Sequence, residues 1–361
     1  FGHLLPTTLK DLIPRYKTMR GYRVRRRWGW DCHGLPLENI IEKRLGLATK
    51  RDIEALGVQK FNESAREAVL EYADDWREII PRMGRFVDMD TPYKTMDAGY
   101  MASVWWAFKK LSDKGLVYEG YKSMHICPRC ETTLAASEVA QGYKDVKDIS
   151  VYVKFELADE PNTFLIAWTT TPWTLPGNVA VAVNPDIEYS KIVASVGGKN
   201  ETYIVAKDRV EAVSKLLPAG SVVGEPTVLG KGKDLVGKSY KPLFDYYSSD
   251  EKLVNRENGW KVYAADFVTA TDGTGLAHEA PAFGEVDMEL GKKEKLPFIQ
   301  HVGMDGKMKP EVKDFAGMSV KPKSDDDKVR LGTDIAVLKY LQEHGTFFAK
   351  ENITHAYPHC W

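Results

Sequence analysis

The sequence predicts an α/β fold interrupted by an all-β module. Two observations support this prediction. Apolar residues recur every three to four positions over much of the first 122 residues, and they alternate with polar ones from Ile149 to about Lys241. The first period is typical of amphipathic helices, and the second of half-buried strands. We therefore expect a barrel or sandwich inserted into an α/β chain.

The first 48 residues predict one helix–strand–helix unit. Residues 9–19 (LKDLIPRYKTM) predict a helix, residues 22–30 (YRVRRRWGW) a strand, and residues 37–45 (LENIIEKRL) a second helix. Asp31 follows the strand and precedes a Gly-Pro turn, a position at which open α/β sheets bind ligands. An ordinary turn aspartate is the alternative. Residues 49–122 predict mainly helix, with one helix stopped by Pro81 and the next closed by Gly115.

Short strands are expected from residue 149 onwards. The segments that predict them are SVYVKFEL, FLIAW, NVAVAV, KIVASV and TYIVA. A lone helix is expected at DRVEAVSKLL, which ends before Pro218. The polar segment from Ser319 to Lys328 predicts an exposed loop.

Composition excludes several classes of function. The 361 residues include 50 basic and 51 acidic ones, a formal net charge of -1, so any polyanion site must be local. No apolar run reaches the length of a membrane span, and the start lacks a signal peptide.

Four cysteines suit a reducing compartment, so we expect a cytoplasmic protein. The chain opens on Phe rather than Met, and we interpret it as a piece of a longer protein.

Cysteines at two places have the spacing of a metal site. Cys127 and Cys130 form a C-x-x-C pair, in which one turn can direct two sulfurs at the same point, as tetrahedral zinc requires. A redox pair shares this spacing. Cys360 lies in the closing PHCW, and one cysteine beyond it would complete a four-cysteine site. We expect a structural zinc, with reduced reactive thiols as the alternative.

Two further stretches concentrate groups that could perform chemistry. TTTPWTLPGN places three consecutive hydroxyls, Thr169, Thr170 and Thr171, at the end of an apolar strand. GTGLAHEAPAFGEVD carries His278 on a short strand and Asp287 in the first turn of a helix. Each residue alone has a structural explanation, since His278 suits a paired core histidine and Asp287 a helix N-terminus. Together they predict a site at neighbouring strand ends.

These stretches resemble the isoleucyl-tRNA synthetases, a family of class I aminoacyl-tRNA synthetases. GWDCHGLPLE, TTTPWTLPGN and GTGLAHEAPAFGEVD carry the resemblance, and KTMD, CPRC and YPHCW extend it over essentially the whole chain. Valyl and leucyl relatives typically read TTRP where this chain reads TTTP. Phe1-Gly2-His3 resembles the last three positions of the HIGH motif, and the KMSKS motif is absent. Because this chain reads TTTP, a relative of the valyl or leucyl type is the weaker alternative.

The resemblance implies four parts. Residues 1–48 would be a piece of a Rossmann-type catalytic core, residues 49–148 a helical connective segment with a zinc knuckle, residues 149–350 a β-barrel editing domain, and residues 351–361 a strand returning to the zinc site. Gly2 and His3 would help to bind ATP with magnesium, and Asp31 the ammonium group of isoleucine. Zinc would be held by Cys127, Cys130 and Cys360.

The resemblance also implies two reactions. The complete enzyme would attach isoleucine to its tRNA with ATP, and the inserted domain would hydrolyse valyl-tRNA formed in error. We expect isoleucine tRNA, isoleucine and valine as partners, no membrane, and a monomer. A zinc-stabilised module that grips tRNA without cleaving it, through lysines such as Lys231, Lys233 and Lys238, is the alternative. The residues assigned to hydrolysis are Thr169, Thr170, Thr171, Asn178, His278 and Asp287.

Overall fold

The chain divides into two compact units, with the boundary between Gly120 and Tyr121. The structure is a computed structural model and describes residues 2–322, 324 and 326–360. No helix in these residues combines the length and the apolar composition needed to cross a membrane. The predicted four-part division at residues 48, 148 and 350 stays a prediction.

The first unit is an α/β piece with a two-stranded parallel sheet. Its strands β1 (Arg27–Trp30) and β2 (Asp88–Lys94) pair so that Gly29 lies opposite Tyr93. A Cβ atom at Gly29 would lie 2.3 Å from Tyr93 Cζ, so a larger residue there would require the Tyr93 ring to move. The helices of this unit are α1 (Leu4–Met19), α2 (Leu35–Leu45), α3 (Lys50–Leu56), α4 (Val58–Ala68), α5 (Ala73–Arg82) and α6 (Ala98–Asp113).

Three details of this unit differ from the sequence prediction. The predicted strand begins only at Arg27, because residues 22–26 are irregular. The predicted helix that Pro81 should stop is two helices, α4 and α5, and Pro81 lies in the last turn of α5. Strand β2 lies within residues that predicted mainly helix. Its hydrogen-bond partner is β1, some sixty residues earlier, so tertiary pairing overrides the local pattern.

The second unit is built mainly from strands. Its helices are α7 (Ala136–Ala140), α8 (Val210–Ser214), α9 (Glu285–Glu294), α10 (Asp327–Arg330) and α11 (Gly332–Glu343). Its strands are β3 (Ile126–Cys127), β4 (Thr132–Thr133), β5 (Tyr143–Glu156), β6 (Thr163–Thr169), β7 (Ala180–Val183), β8 (Glu188–Val196), β9 (Lys199–Ala206), β10 (Val222–Val223), β11 (Thr227–Lys231), β12 (Lys261–Ala264), β13 (Leu276–Glu279) and β14 (Phe347–Pro358).

Two sheets share one apolar core. A seven-stranded sheet runs in the order β10-β8-β9-β6-β5-β14, with β11 also on β8, and curls as a half-barrel. A three-stranded sheet runs β12-β7-β13. Val153, Leu165 and Ile204 of the first sheet pack with Val181 and Leu276 of the second. The predicted inserted β-barrel is therefore confirmed.

Strand β5 is buried on both faces from Asp148 to Phe155. Val151, Val153 and Phe155 point into the main core, whereas Tyr152 belongs to a second cluster on the other side of the sheet. Strand β14 pairs with β5 in antiparallel register, so the chain enters and leaves the barrel along neighbouring strands. The alternation predicted a half-buried strand, whereas side chains on both faces of β5 are buried in separate cores.

The polar segment after Ser319 is not simply an exposed loop. Lys321 extends inward, and its ammonium group lies 2.8 Å from Asp148 and 3.1 Å from Asp334. Both carboxylates are almost completely buried. Two positions of the segment, 323 and 325, lie outside the described residues. Tertiary ion pairing therefore overrides the expectation that a charged loop lies in solvent.

Gly275→Ala should destabilise the barrel more than Gly198→Ala. Both residues have a positive φ, +79° and +80°, so each substitution costs about 1–2 kcal/mol of backbone strain. A Cβ at Gly275 would also lie 2.3 Å from Ala206 Cβ, which adds about 1–3 kcal/mol, whereas Gly198 has open space. Urea denaturation followed by circular dichroism measures the difference. Equal losses for the two variants would contradict the close packing of Gly275.

Candidate functional site

Strand β6 ends in the first of the three threonines. Thr169 is the last residue of β6, and a 3₁₀ turn follows from Pro172 to Gly177. The Thr169 hydroxyl oxygen accepts a hydrogen bond from the Thr171 N–H at 3.2 Å and lies 3.3 Å from Thr171 Oγ1. A hydroxyl can satisfy backbone groups in this way where a strand stops. The strand end therefore carries hydroxyls that are already oriented.

The hydroxyls continue into the imidazole of His278. Thr171 Oγ1 lies 3.3 Å from Thr174 Oγ1, and Thr174 Oγ1 lies 2.8 Å from His278 Nε2. The Thr174 hydroxyl also donates to the Thr171 carbonyl at 2.8 Å. Since that donation uses its only hydrogen, Thr174 must accept from its other two partners. His278 therefore carries its proton on Nε2.

Asn178 holds the other side of the imidazole. Its amide nitrogen donates to the Ala180 carbonyl at 2.9 Å and lies 3.1 Å from His278 Nδ1. Its amide oxygen accepts from the Tyr240 hydroxyl at 2.7 Å. The Ala180 carbonyl can only accept, which fixes the orientation of the amide and makes Nδ1 an acceptor. The two sides of the ring thus require the same tautomer.

The imidazole is neutral. Burial lowers the pKa of His278 to about 3, and the nearby His301 adds to the shift. Both ring nitrogens are occupied by hydrogen bonds within the protein. In this arrangement His278 fixes the positions of Thr174 and Asn178, and its lone pair is not free to take a proton from water.

Asp287 adjoins this network through the chain after β13. It lies in the first turn of α9, and its carboxylate accepts a hydrogen bond from the Ala280 N–H at 2.8 Å. Ala280 is two residues after His278. A Cβ at Gly284 would lie 2.0 Å from Asp287 Oδ2, so a larger residue there would displace the carboxylate. Burial raises the pKa of Asp287.

Glu279 lies between His278 and Ala280 in the chain and was not predicted as a site residue from the sequence. It is 1% exposed, and its Oε2 atom has no hydrogen-bond partner among the described residues. Burial raises the pKa of Glu279 to about 9, with a further contribution from Asp287. The side chain is therefore a neutral acid at physiological pH. The contribution of Asp287 to this shift shows that the two carboxyl groups are close enough to interact.

The structure joins most of the predicted hydrolysis residues. Thr169, Thr171, Asn178 and His278 form one hydrogen-bonded network, and Asp287 lies beside it. Thr170 is half-buried next to them and takes no part in the hydrogen bonds described above. Thr174 and Tyr240 complete the network and were missed by the sequence analysis.

The two missed residues differ in how they could have been found. Thr174 stands inside the TTTPWTLPGN stretch, so its place in the motif was the available signal. Tyr240 lies 62 residues from Asn178 in the chain and has no local signal. Only the fold brings the Tyr240 hydroxyl to the amide of Asn178.

The other predicted binding residues belong to the first unit. Gly2 lies in a turn, and His3 precedes α1, where its carbonyl accepts from the Thr7 N–H at 3.2 Å. The His3 ring packs edge-on against Trp76, with 5.8 Å between ring centroids. Asp31 is exposed directly after β1. It therefore lies at the carboxyl end of a parallel strand, where open α/β sheets bind ligands.

The thiols of the second unit converge on Cys127. Cys127 ends β3, and its thiol is hydrogen-bonded to both Cys130 and Cys360. Burial, followed by the Cys127 thiol, raises the pKa of Cys130 to about 12. The described residues contain no group of three or more His, Cys, Asp or Glu side chains in a complete metal-binding arrangement. The three predicted cysteines therefore lie near one another, and the described residues do not complete a metal-binding site with them.

This chain is similar to class I tRNA synthetases. Residues 1–173 match the family model of class I tRNA synthetases (I, L, M and V). The isoleucine–tRNA ligase of Clostridium acetobutylicum is 43% identical over 362 residues, which cover 100% of this chain and 32% of that protein. The ligase of Treponema denticola is 44% identical over 388 residues, or 100% of this chain and 34% of that protein.

Solved structures give a fainter likeness. The editing domain of the cytosolic leucyl-tRNA synthetase of P. knowlesi is 13% identical, with a TM-score of 0.36, over 58% of this chain and 99% of that domain. The corresponding domain from P. falciparum is 10% identical, with a TM-score of 0.31, over 41% and 67%. The ligases carry the family assignment through identity along the entire chain. The chain thus belongs to the isoleucyl-tRNA synthetases of class I and spans about a third of the length of these relatives.

Proposed function

We propose that the complete protein attaches isoleucine to its tRNA, using ATP with magnesium, and that this chain hydrolyses valyl-tRNA formed in error. The observation that carries the hydrolytic part is the continuous network from Thr169 through His278 to Asn178, beside the carboxylate of Asp287. The network belongs to the second unit, whereas Asp31 belongs to the first.

A second site is needed because a pocket for isoleucine cannot strongly exclude valine. The two side chains differ by one methylene, which is worth only about 1–3 kcal/mol of binding, and the isoleucine–valine pair is the standard example of this limit. A hydrolytic site that accepts the smaller ester and excludes the larger one removes the error after transfer. A barrel that buries small β-branched and polar side chains can form a pocket that accepts the valyl ester and excludes the isoleucyl ester.

Asp287 would hold the ammonium group of the valyl ester. Its carboxylate is mostly buried, and burial raises its pKa, so the ionised form lacks full compensation in the free protein. An ammonium group would supply the missing countercharge in a low-dielectric setting, where such pairs are strong. The neutral acid of Glu279 beside it does not compete for that cation.

The threonines would hold the terminal adenosine and one water. Each hydroxyl both donates and accepts, and the branched Cβ restricts the rotamers, so Thr169, Thr170 and Thr171 can present fixed polar groups. Orientation of the water and stabilisation of the oxyanion are the main tasks in ester hydrolysis. Asn178 supports them by holding His278, whose ring would limit the size of the side chain and contact the ester. We assign no general base.

His278 in particular is not that base. Its Nδ1 atom already accepts from Asn178, and burial lowers the pKa of His278 to about 3. A base at physiological pH needs a free lone pair and a pKa near the working pH. The proton of the attacking water would therefore pass to a threonine, to another water or to the substrate itself.

The binding-module alternative has less support. Lys238, one of the lysines considered for tRNA contact, is paired with Glu160 at 2.7 Å, and Glu160 also pairs with Lys191 at 2.9 Å. Lys231 and Lys233 lie on the exposed surface. A polar network buried beside a carboxylate has no evident use in gripping a phosphate backbone, so hydrolysis explains more of the structure.

We assign the remaining predicted residues to the parts of the family that their motifs match. Gly2 and His3 would help to bind ATP, and Asp31 would bind the ammonium group of isoleucine. Cys127, Cys130 and Cys360 would hold a structural zinc. Zinc would bind their thiolates, and its charge would offset the burial and the neighbouring Cys127 thiol that raise the pKa values of Cys130 and Cys360.

Asp287→Asn should reduce kcat/KM for deacylation of valyl-tRNA by roughly 30-fold or more, since a buried charge pair is worth about 2–5 kcal/mol. Asparagine keeps an oxygen for the Ala280 N–H, so the loop should stay in place. Glu285→Gln, an exposed change in the same helical turn, is the control and should retain activity. Deacylation of valyl and isoleucyl esters of isoleucine tRNA measures both. Wild-type activity in Asp287→Asn would remove Asp287 from the site.

Glu279→Gln should gain stability relative to the wild type as pH rises. The raised pKa of Glu279, about 9 against 4.5 in the unfolded chain, means that the folded protein retains its proton. Its contribution is complete below pH 4.5 and is lost as pH rises towards 9, by at most about 1.4 kcal/mol per pH unit. Urea denaturation at pH 5 to 8 checks the difference, with Glu285→Gln as control. Parallel curves would mean that Glu279 is ionised.

Zinc should be present at about one ion per chain when the chain is extended beyond residue 361. Cys127→Ser should lose the metal, because Cys127 contacts both of the other thiols. Cys32→Ala, which removes a buried thiol of the first unit, should retain it. Elemental analysis of purified protein gives the answer. An extended, folded chain without zinc would leave the cysteines as reduced thiols.

A further inference from the structure

A completely buried carboxylate contacts the turn that carries the threonine network. Asp334 lies near the start of α11, is 0% exposed, and accepts a hydrogen bond from the Trp173 N–H at 3.2 Å. Trp173 immediately precedes Thr174, whose hydroxyl pairs with His278. The backbone at the centre of the candidate site is thus held by a side chain that is itself no part of the network.

The carbonyl oxygen of Trp173 also has a buried partner. His301, also 0% exposed, lies with its Nε2 atom 2.9 Å from the Trp173 carbonyl oxygen, which can only accept. Its ring packs against Gly177, where a Cβ would lie 2.6 Å from Nδ1. The turn from Pro172 to Gly177 is therefore clamped at both the N–H and the C=O of Trp173.

The charge of Asp334 is compensated by a network that extends to the base of the barrel. Lys321 Nζ lies 3.1 Å from Asp334 Oδ2 and 2.8 Å from Asp148 Oδ1. Asp148, on β5, also lies 3.3 Å from His355 Nε2 on β14 and 3.9 Å from an Arg330 nitrogen. One partly exposed lysine thus links the turn to the two strands by which the chain enters and leaves the barrel.

We propose that Asp334 is a positioning residue, which fixes the Trp173 peptide so that Thr174 and the hydroxyls beyond it face the substrate in a productive arrangement. Lys321 and Asp148 keep Asp334 in place and balance its charge. The inference rests on the proposed hydrolytic function for its effect on rate. Its effect on the backbone of the turn does not depend on that function.

The decisive variants differ in whether they leave an acceptor for Trp173. Asp334→Ala removes it, and Lys321 then still has Asp148 as a balanced partner. Asp334→Asn removes the charge but keeps an oxygen at the same place. If Asp334→Ala does not fold, Asp334→Leu, which keeps the branched shape, replaces it. Glu343→Gln, exposed at the end of the same helix, is the matched control.

Hydrogen–deuterium exchange and deacylation are measured on the same folded proteins. In Asp334→Ala the Trp173 amide should exchange at least tenfold faster than in the wild type, while residues 203–206 of β9 keep their rates. The kcat for valyl-tRNA should fall at least tenfold, and Asp334→Asn should stay within about threefold of wild type in both measurements. Glu343→Gln should change neither.

Contrary outcomes separate the two proposals. Unchanged exchange at Trp173 in the alanine or leucine variant would overturn the positioning role, as would equal losses in the alanine and asparagine variants. A wild-type chain that hydrolyses no valyl-tRNA would count against the proposed function, and the exchange rates would still decide whether Asp334 holds the turn.

Discussion

The structure of the site depends on one constraint, which is that the turn from Pro172 to Gly177 places polar groups inside an apolar core. A buried donor or acceptor without a partner costs about 1–3 kcal/mol, so each group must be paired. Thr174 pairs with the Thr171 carbonyl, and the Trp173 peptide pairs with Asp334 and His301. The Thr174 hydroxyl, the His301 imidazole and the Asp334 carboxylate therefore supply or satisfy the hydrogen bonds that a buried turn requires.

The same burial determines which groups carry charge. Desolvation lowers the pKa of His278 to about 3 and raises that of Glu279 to about 9, so both are neutral at physiological pH. Asp287 lies at the N-terminus of α9 and accepts a backbone N–H, and both features favour its ionised form against the cost of burial. Neutral hydrogen-bonding groups next to one carboxylate are a suitable environment for a substrate with a single ammonium group.

The sequence predicted the elements whose partners are close in the chain. Strands β5 to β9 were evident from their short apolar segments between turns, although their burial on both faces was not predicted, and α9 was evident from the acidic first turn after Gly284. The residues of the site were indicated by their clustering in two motifs. What joins the motifs was not evident, since Asn178 and His278 are 100 residues apart.

Pairings between distant residues explain the other misses as well. Lys321 stands in a polar segment that predicts an exposed loop, yet its partners Asp148 and Asp334 are buried. Nothing in the local pattern of a charged segment tells which lysine will enter the core. Likewise, β2 lies within residues that predicted mainly helix, and it is a strand because it pairs with β1.

The proline that begins the turn shows how sequence and site fit together. The first N–H groups of any helical turn lack partners within the turn, and proline has no N–H to satisfy. Pro172 therefore removes one buried donor from the first turn, and the Thr174 N–H bonds to the Thr171 carbonyl. The Trp173 N–H is left between them, and Asp334 accepts it. A turn that needs a single outside acceptor is one that a single distant carboxylate can hold in place.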